Sequence, residues 1–159
     1  MTRARVKRKA TRRRTAKRGA EVKFERRFRA APEEADRAQK DLVRKLQRAR
    51  CALGDVMELK TALREGVNNA LRHASKLDRR KRVTLAARWR PGQGLWVMVR
   101  DEGPGFDPAG VPDPTRPENL EKFSGRGLYM MKLLMDRVEH RDGGRELHLW
   151  RTPRPRRVK

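Results

Sequence analysis

The spacing of hydrophobic residues in the first half of the chain predicts one strand and two helices. Alternating apolar positions predict a strand over residues 21–28. From Pro32, which suits a first helical turn, apolar residues recur every three or four positions and predict a helix to about Arg50. A second helix begins after Asp55, its predicted N-cap. The apolar stripe of this helix consists of Val56, Leu59, Leu63, Val67, Ala70, Leu71 and Ala74.

The second half of the chain predicts a hairpin, a long loop, a helix and a last strand. The β-rich runs 83–89 and 95–100 flank a Gly/Pro turn and predict a hairpin whose second strand is central in a sheet. Several prolines within 107–124 predict no helix or strand there, and so long a loop in a compact domain is typical of a lid. A final strand is predicted over 146–150. The helix before it has its apolar face at Leu128, Met131, Leu134, Met135 and Val138.

The charge of the chain is concentrated at its two ends. The 159 residues carry 43 Lys and Arg against 20 Asp and Glu, a net charge of +23. Residues 1–20 hold ten of the basic residues and residues 151–159 hold five, with no acid in either stretch. We therefore expect a disordered basic tail over 1–20, one domain over 21–152 and a basic C-terminal tail over 153–159. Nucleic acid, anionic lipid or an acidic protein surface would each attract such tails, and a solubilising role is the simpler alternative.

Other features narrow the class of protein. The single cysteine, Cys51, excludes an internal disulfide framework and is expected to be a buried or half-buried hydrophobic residue. No apolar run approaches the roughly 18 residues of a transmembrane helix. The charged N-terminus lacks the apolar stretch of a secretory signal, and it lacks the amphipathicity of an organelle transit peptide. The sequence therefore predicts a cytoplasmic protein with no membrane partner.

One polar row on the second helix is a candidate for chemistry. Glu65, Asn69 and His73 step by four residues and line the face opposite the apolar stripe. A carboxylate can polarise a hydroxyl or a water, and an amide oxygen is a hard ligand suited to Mg²⁺. The alternative is a solvated helix face with a chance spacing, and this stretch alone favours that alternative.

Two glycine-containing stretches add further candidates. Asp101 ends the predicted central strand, and its carboxylate can accept a hydrogen bond from an exocyclic amine such as N6 of adenine. The glycines that follow within 101–106 let the backbone approach a flat ring, although an ordinary turn is the alternative. The glycines of 125–128 open the helix after the loop, and a helix N-terminus of this kind binds phosphate. Arg126 adds a charge-assisted contact there.

In order along the chain, these three stretches resemble the N, G1 and G2 boxes of the GHKL ATPase superfamily, which includes histidine kinases, type II topoisomerases and heat-shock chaperones. Three ordered boxes at compatible spacing argue against chance agreement. The chain has a short, single-domain form of this pattern. With residues 133–138 after the third box, it looks most like bacterial anti-sigma-factor serine/threonine kinases. The resemblance covers residues 21–152. It implies an α/β sandwich, in which a mixed, mostly antiparallel sheet carries helices on one face and ATP lies between helices and lid.

The resemblance also implies roles for individual residues. Glu65 would be the general base that activates a serine hydroxyl on a partner protein, and Asn69 would hold a Mg²⁺ that bridges the phosphates. Asp101 would bind adenine. The remaining residues of the implied nucleotide site are Gly103 and Gly105 at the adenine wall, Gly125, Arg126, Gly127 and Leu128 at the phosphates, and His73, for which helix packing is an equal alternative. The implied cofactors are ATP and Mg²⁺, and the implied partners are a sigma factor and an antagonist protein, with a homodimer left open.

Two functional classes remain open at this point. In the first, the protein is an ATP-dependent kinase for a Ser/Thr of an antagonist protein and also binds a sigma factor. In the second, it is a nucleotide-gated binding module or signalling adaptor without turnover. Glu65 favours the first class, because pure binding needs no base at that position. The basic tails depart from the family pattern, and the sequence shows no phospho-acceptor helix of the histidine-kinase type before the domain.

Overall fold

The computed structural model describes residues 19–74, 78–119 and 125–155, without the side chains of residues 73 and 74. The described chain forms five strands, three α-helices and short helical turns. The strands are β1 Val22–Arg29, β2 Arg82–Arg90, β3 Gly94–Asp101, β4 Arg137–Arg141 and β5 Glu146–Arg151. The α-helices are α1 Pro32–Arg48, α2 Val56–Asn69 and α3 Arg126–Leu134. None of the described helices is long and apolar enough to cross a membrane.

The strands form one sheet in the order β1-β2-β3-β5-β4, and every pairing in it is antiparallel. The predicted hairpin is β2–β3, with Val99 opposite Leu85. Strand β5 pairs with β3 and places β4 at the edge. The one parallel contact among the described residues is an isolated bridge between Leu53 and Arg154. The predicted α/β sandwich is confirmed, with an antiparallel sheet and helices on one face.

Successive side chains of each strand point to opposite faces of the sheet. We call the face that carries the helices the inner face; it is apolar, and Leu85, Val97 and Leu149 are almost completely buried there. All three helices add residues to the same core, including Leu42 of α1 and Met131 of α3. The opposite, outer face carries mostly charged residues and tryptophans. The site described below lies on the inner side, where the core holds α2 against the sheet.

The start of α2 confirms the predicted N-cap. The carboxylate of Asp55 accepts a hydrogen bond from the backbone N–H of Met57 at 2.8 Å, which satisfies one of the N–H groups that a helix start leaves without a partner. Pro32 occupies the first turn of α1, with Glu33 and Glu34 beside it. Acidic side chains at a helix N-terminus interact favourably with the helix dipole.

The predicted extent of the last helix is wrong. Helix α3 ends at Leu134, and Val138 lies in β4, opposite Leu149 of β5. Contacts distant in sequence end the helix: the N–H of Asp136 donates to Trp150 O at 2.9 Å, and its carboxylate accepts from Thr152 N–H at 2.6 Å. Val138 also matches the helical spacing of the preceding apolar residues, so the pattern alone did not reveal a short edge strand.

Helix α2 is also shorter than predicted. Regular α-helical bonding ends at Asn69, and Ala70–Ala74 form a wider π-helical turn, so the backbone of His73 lies beyond the regular helix. The His73 side chain and the N-terminal tail to residue 18 lie outside the described residues. At the other end, Arg154 still contacts the domain, since its N–H donates to Ala52 O at 2.8 Å.

Candidate nucleotide site

The N-terminus of α3 lies directly against the polar row of α2. A Cβ atom at Gly127 would be 2.8 Å from Glu65 Oε2 and 3.7 Å from Asn69 Oδ1. Only a residue without a side chain fits between these oxygens and the helix backbone without displacing them. The fold thereby brings the first and the third of the sequence stretches together, and it does so at a helix N-terminus, where N–H groups without intrahelical partners favour anions.

The loop before α3 also requires a glycine. Gly125 caps the helix with φ of 86°, a left-handed conformation that favours glycine, and a Cβ atom there would overlap Pro112 O of the loop. Arg126 follows as an exposed residue, whereas Leu128 is half-buried and packs against the core. Residues 120–124 lie outside the described part. The described part of the predicted lid contains two short 3₁₀ turns, the first of them Pro108–Gly110.

Asp101 is a buried carboxylate at the end of β3, with 7% of the residue exposed. Its Oδ1 accepts a hydrogen bond from Gly103 N–H at 2.7 Å, and its own N–H donates to Arg145 O at 3.1 Å. Burial raises the pKa of this carboxyl above its ordinary value, and the Gly103 N–H and the positive charges of Lys81 and Arg145 offset the rise only in part. A buried acceptor of this kind favours a ligand that donates a hydrogen bond.

A cavity between α2 and the sheet is lined both by part of the polar row of α2 and by part of the stretch 101–106. Asn69 and Asp101 both line it, and Gly66 forms part of its helical wall. A Cβ atom at Gly66 would come within 2.6 Å of Leu147 Cδ2, so α2 approaches the sheet most closely where a side chain is missing. The full lining is Gly66, Asn69, Ala70, Val99, Asp101, Gly105, Phe106, His140, Gly144, Arg145 and Leu147.

The glycines after Asp101 also have a structural role that the sequence did not indicate. Gly105 adopts φ of 78°, and a Cβ atom there would overlap Gly143 O in the turn between β4 and β5. The N–H of Phe106 donates to the same Gly143 oxygen at 3.0 Å. The approach of two backbones therefore requires glycine at 105. Gly103 belongs to the turn that holds Asp101, and together with it lines a neighbouring open basin.

Sequence reasoning missed the contribution of β4 and its turn. His140 of β4 lines the cavity with its ring edge-on to Phe106, at a centroid distance of 5.1 Å. Burial, aided by the charge of Lys132, lowers the pKa of His140, which favours a neutral ring. The turn between β4 and β5 also requires a glycine at 144, because at its φ of 85° a Cβ atom would overlap Phe106 O.

The oxygens beside Gly127 fit a Mg²⁺ ion. No group of three or more His, Cys, Asp or Glu side chains suited to a metal occurs among the described residues. Mg²⁺ does not need such a group, since it keeps several waters and takes one or two protein oxygens together with substrate phosphates. The carboxamide of Asn69 supplies a hard oxygen ligand of this kind near the N-terminus of α3, and the Glu65 carboxylate lies close to the same helix start.

Comparison with known proteins agrees with this geometry. Residues 28–150 match the family described as "Histidine kinase-like ATPase domain". The chain belongs to this family. Membership implies ATP binding, and it confirms the resemblance to the GHKL superfamily. The match covers most of the domain, including β2 to β5 and all of the cavity lining.

Two of the relatives that the chain resembles are serine-protein kinases. The chain is 34% identical over 93 residues to the serine-protein kinase RsbW of Bacillus subtilis (strain 168), and 35% identical over 96 residues to that of Bacillus licheniformis. Each match covers 53% of this chain and 56% of the relative, so the chain spans about half the length of these relatives. The crystal structure of the RsbU and RsbW domains of a Mycobacterium tuberculosis protein has the same fold, with a TM-score of 0.55 at 16% identity over 87% of this chain and 34% of that one.

Proposed function

We propose that this protein is an anti-sigma factor with serine/threonine kinase activity, which uses Mg·ATP to phosphorylate an antagonist protein. The position of Glu65 carries the proposal, because its carboxylate lies against Gly127 at the N-terminus of α3. A base at that point is next to the place where a helix N-terminus binds phosphate. The similarity to two serine-protein kinases supports the reaction class. The sigma factor and the antagonist are the partners of this proposal, and the cytoplasm is its location.

Each residue of the site has a role in this proposal. Asp101 accepts a hydrogen bond from the adenine amine, and Gly103 and Gly105 hold the loop that shapes this wall. The glycines at the start of α3 and the side chain of Arg126 contact the phosphates. Asn69 holds Mg²⁺, which neutralises phosphate charge when it is bound. Leu128 keeps α3 on the core; His73 remains assigned to the site only through the resemblance.

The chemical step depends on one proton. The incoming Ser/Thr hydroxyl attacks the γ-phosphorus, and Glu65 takes the hydroxyl proton as the new O–P bond forms and the bond to ADP breaks. Positioning supplies much of the rest of the rate, because the hydroxyl and the γ-phosphate must lie in line. The second class, a nucleotide-gated binder without turnover, uses the same adenine and phosphate contacts but has no use for the base.

The decisive experiment replaces the base and keeps the shape. Glu65→Gln should retain ATP affinity within about threefold and lower phosphotransfer to a purified antagonist by about 10²-fold or more. Asp36→Asn on the exposed side of α1 makes the same carboxylate-to-amide change away from the site and should match wild type. Labelled ATP with Mg²⁺ gives the transfer rate, and calorimetry gives the affinity.

Two outcomes would contradict the kinase. If Glu65→Gln phosphorylates the antagonist at the wild-type rate, Glu65 is not the base. If wild type binds ATP but transfers no phosphate to any antagonist while a sigma factor binds in a nucleotide-dependent way, the protein is a nucleotide-gated binder.

A further inference from the structure

The outer face of the sheet carries a set of arginine and tryptophan side chains that the nucleotide site does not use. Arg88, Trp96, Trp150 and Arg137 are successive cross-strand neighbours in one row across β2, β3, β5 and β4. Arg90 lies two residues after Arg88 on β2, and Arg141 lies four residues after Arg137 on β4. We call these residues the arginine–tryptophan face. The three described α-helices pack against the inner face, so none of them covers it.

The rings of this face are held in a fixed arrangement. The imidazole of His148 lies between the indoles, with centroid distances of 5.8 Å to Trp96 and 5.7 Å to Trp150. Trp96 Nε1–H donates to His148 Nδ1 at 3.1 Å, so the imidazole proton lies on Nε2, which is 3.0 Å from Glu146 Oε2. The hydrogen bond orients Trp96, and the ring contact with His148 orients Trp150, before any ligand arrives.

Cations surround the rings. The guanidinium carbon of Arg137 lies 4.7 Å from the ring centroid of Trp150, and that of Arg141 lies 5.7 Å from it. Next to the rings, Arg88, Arg90 and Arg137 line an open basin of about 670 Å³ together with both indoles. On the outer face as a whole, basic side chains outnumber acidic ones, and the acidic Glu139 is already paired with two arginines.

We propose that the arginine–tryptophan face binds single-stranded nucleic acid. Unstacked bases stack on indole and guanidinium planes, and the surrounding arginines neutralise the phosphates, without any need to read the sequence of bases. A second copy of the chain would bring arginines against arginines across a two-fold axis. An acidic polypeptide would use the charges but not the exposed parts of the two oriented indoles. This site is separate from the basic tails, which have no aromatic residue.

The test uses tryptophan emission of the full chain. Trp89 is fully buried and gives a constant background, whereas Trp96 and Trp150 are partly exposed. A dT or U oligonucleotide of about twelve residues should quench this emission, and the affinity should fall steeply with salt. Inorganic polyphosphate and poly-glutamate bind basic tails but contain no base, so they should leave the emission nearly unchanged.

Charge reversal locates the site. Arg88→Glu combined with Arg90→Glu should weaken oligonucleotide binding about tenfold at roughly 0.1 M salt. Arg44→Glu combined with Lys60→Glu makes the same change of charge on exposed positions of α1 and α2, and should weaken it less than about twofold. The basic tails are present in every variant, so their contribution cancels in the comparison. Thermal melting checks that both variants fold.

Four results would overturn the proposal. Equal quenching by duplex DNA or by polyphosphate would show that bases do not stack on the indoles. Equal loss of affinity in the two double variants would place binding elsewhere. A dimer of the free protein that the Arg88→Glu/Arg90→Glu pair dissociates would assign the face to a second copy, and quenching by poly-glutamate would assign it to an acidic protein.

Discussion

The two faces of the sheet are built from the same strands, yet the inner face buries its few charged side chains and the outer face exposes many. Along β3, Asp101 points to the inner face and is buried, while its neighbour Arg100 points outward and is exposed. Trp89 and Arg88 show the same contrast on β2. Because side chains alternate, one residue of sequence separates a low-dielectric site from a water-exposed surface. Burying one charge on the inner face therefore costs desolvation energy and favours one specific partner. Charges on the outer face stay hydrated, and together they attract ligands of opposite charge.

Ion pairs show the contrast most directly. At the inner end of β5, Arg151 is 1% exposed and pairs with Glu58 of α2, while its Nε and Nη1 find no partner among the described residues. On the outer face, Glu139 lies between Arg137 and Arg141; the two arginine side chains are exposed and the Glu139 side chain is partly exposed. Solvent screens the ion pairs around Glu139, whereas the buried Arg151–Glu58 pair has few other hydrogen-bonding groups near it.

The largest expected effect is therefore at Glu58. Glu58→Ala leaves the guanidinium of Arg151 buried without its carboxylate, with Arg154 still near it, and should lower the free energy of unfolding by about 3 kcal/mol. Urea denaturation measures this. Replacing both Glu58 and Arg151 by apolar residues should recover part of the loss. A single variant as stable as wild type would mean that water satisfies the buried guanidinium.

The second prediction concerns the inner-side contact between Gly105 and the β4–β5 turn. Gly105→Ala adds a Cβ atom that overlaps Gly143 O at a left-handed φ, and should lower the free energy of unfolding by about 2 kcal/mol or more and weaken ATP binding. Gly110→Ala is the matched control, because a Cβ atom there meets nothing within 4 Å. Denaturation and calorimetry on both variants give the comparison. If Gly105→Ala and Gly110→Ala are equally stable, the β4–β5 turn can move away from the added Cβ atom without a loss of stability.

Local patterns predicted most of the fold and the three stretches of the site. Alternation identified β1 and β5, β-rich runs around a turn identified β2 and β3, and the cap at Asp55 fixed the start of α2. The strands, the helix start and the three stretches depend on residues close in sequence, so the sequence shows them directly. The resemblance assigned Glu65, Asn69 and Gly127 to one site, and the fold brings these three residues together at the start of α3.

The missed features depend on contacts distant in sequence. Strand β4 has one aliphatic residue, Val138, and its pairing with β5 is set by the tertiary fold rather than by its own pattern. Without β4, His140 could not be placed in the cavity. The reason for Gly105 was also hidden, because its contact, Gly143, lies 38 positions later in the sequence and meets it only in the folded chain.

The third prediction uses the single inner carboxylate of the cavity. Asp101→Asn keeps an oxygen for the Gly103 N–H but loses the charge, and should weaken ATP binding by about 1–3 kcal/mol. Wild type should also prefer ATP to GTP. Calorimetry with both nucleotides measures this, and equal affinity of wild type for both would remove adenine recognition from Asp101.

The same substitution should have the opposite effect on stability. The folded-state pKa of Asp101 is raised by burial, so its ionisation destabilises the fold: the associated stability is present below the unfolded pKa of about 3.8 and is lost as pH rises through the folded pKa. Asp101→Asn should therefore melt at a higher temperature than wild type at pH 7. This gain should shrink as pH approaches 4. A gain that stays constant with pH would have a different cause.

The smallest expected effect is at the outer ion pairs. Hydrogen bonds from Arg141 and Arg137 lower the folded-state pKa of Glu139, so any stability it contributes is present above about pH 4.5 and is lost as pH falls through the lowered value. Because this carboxylate is partly exposed and its two arginine partners are exposed, solvent screens the pairs, and Glu139→Gln should leave the melting temperature at pH 7 indistinguishable from that of wild type. Adding about 1 M NaCl should likewise change the melting temperature of wild type and Glu139→Gln in parallel, since salt already screens exposed pairs. Scanning calorimetry at two salt concentrations tests both statements. A clear loss of stability in Glu139→Gln that salt does not reduce would mean that the outer face, like the inner one, holds its charges away from water, and the contrast between the two faces would fail.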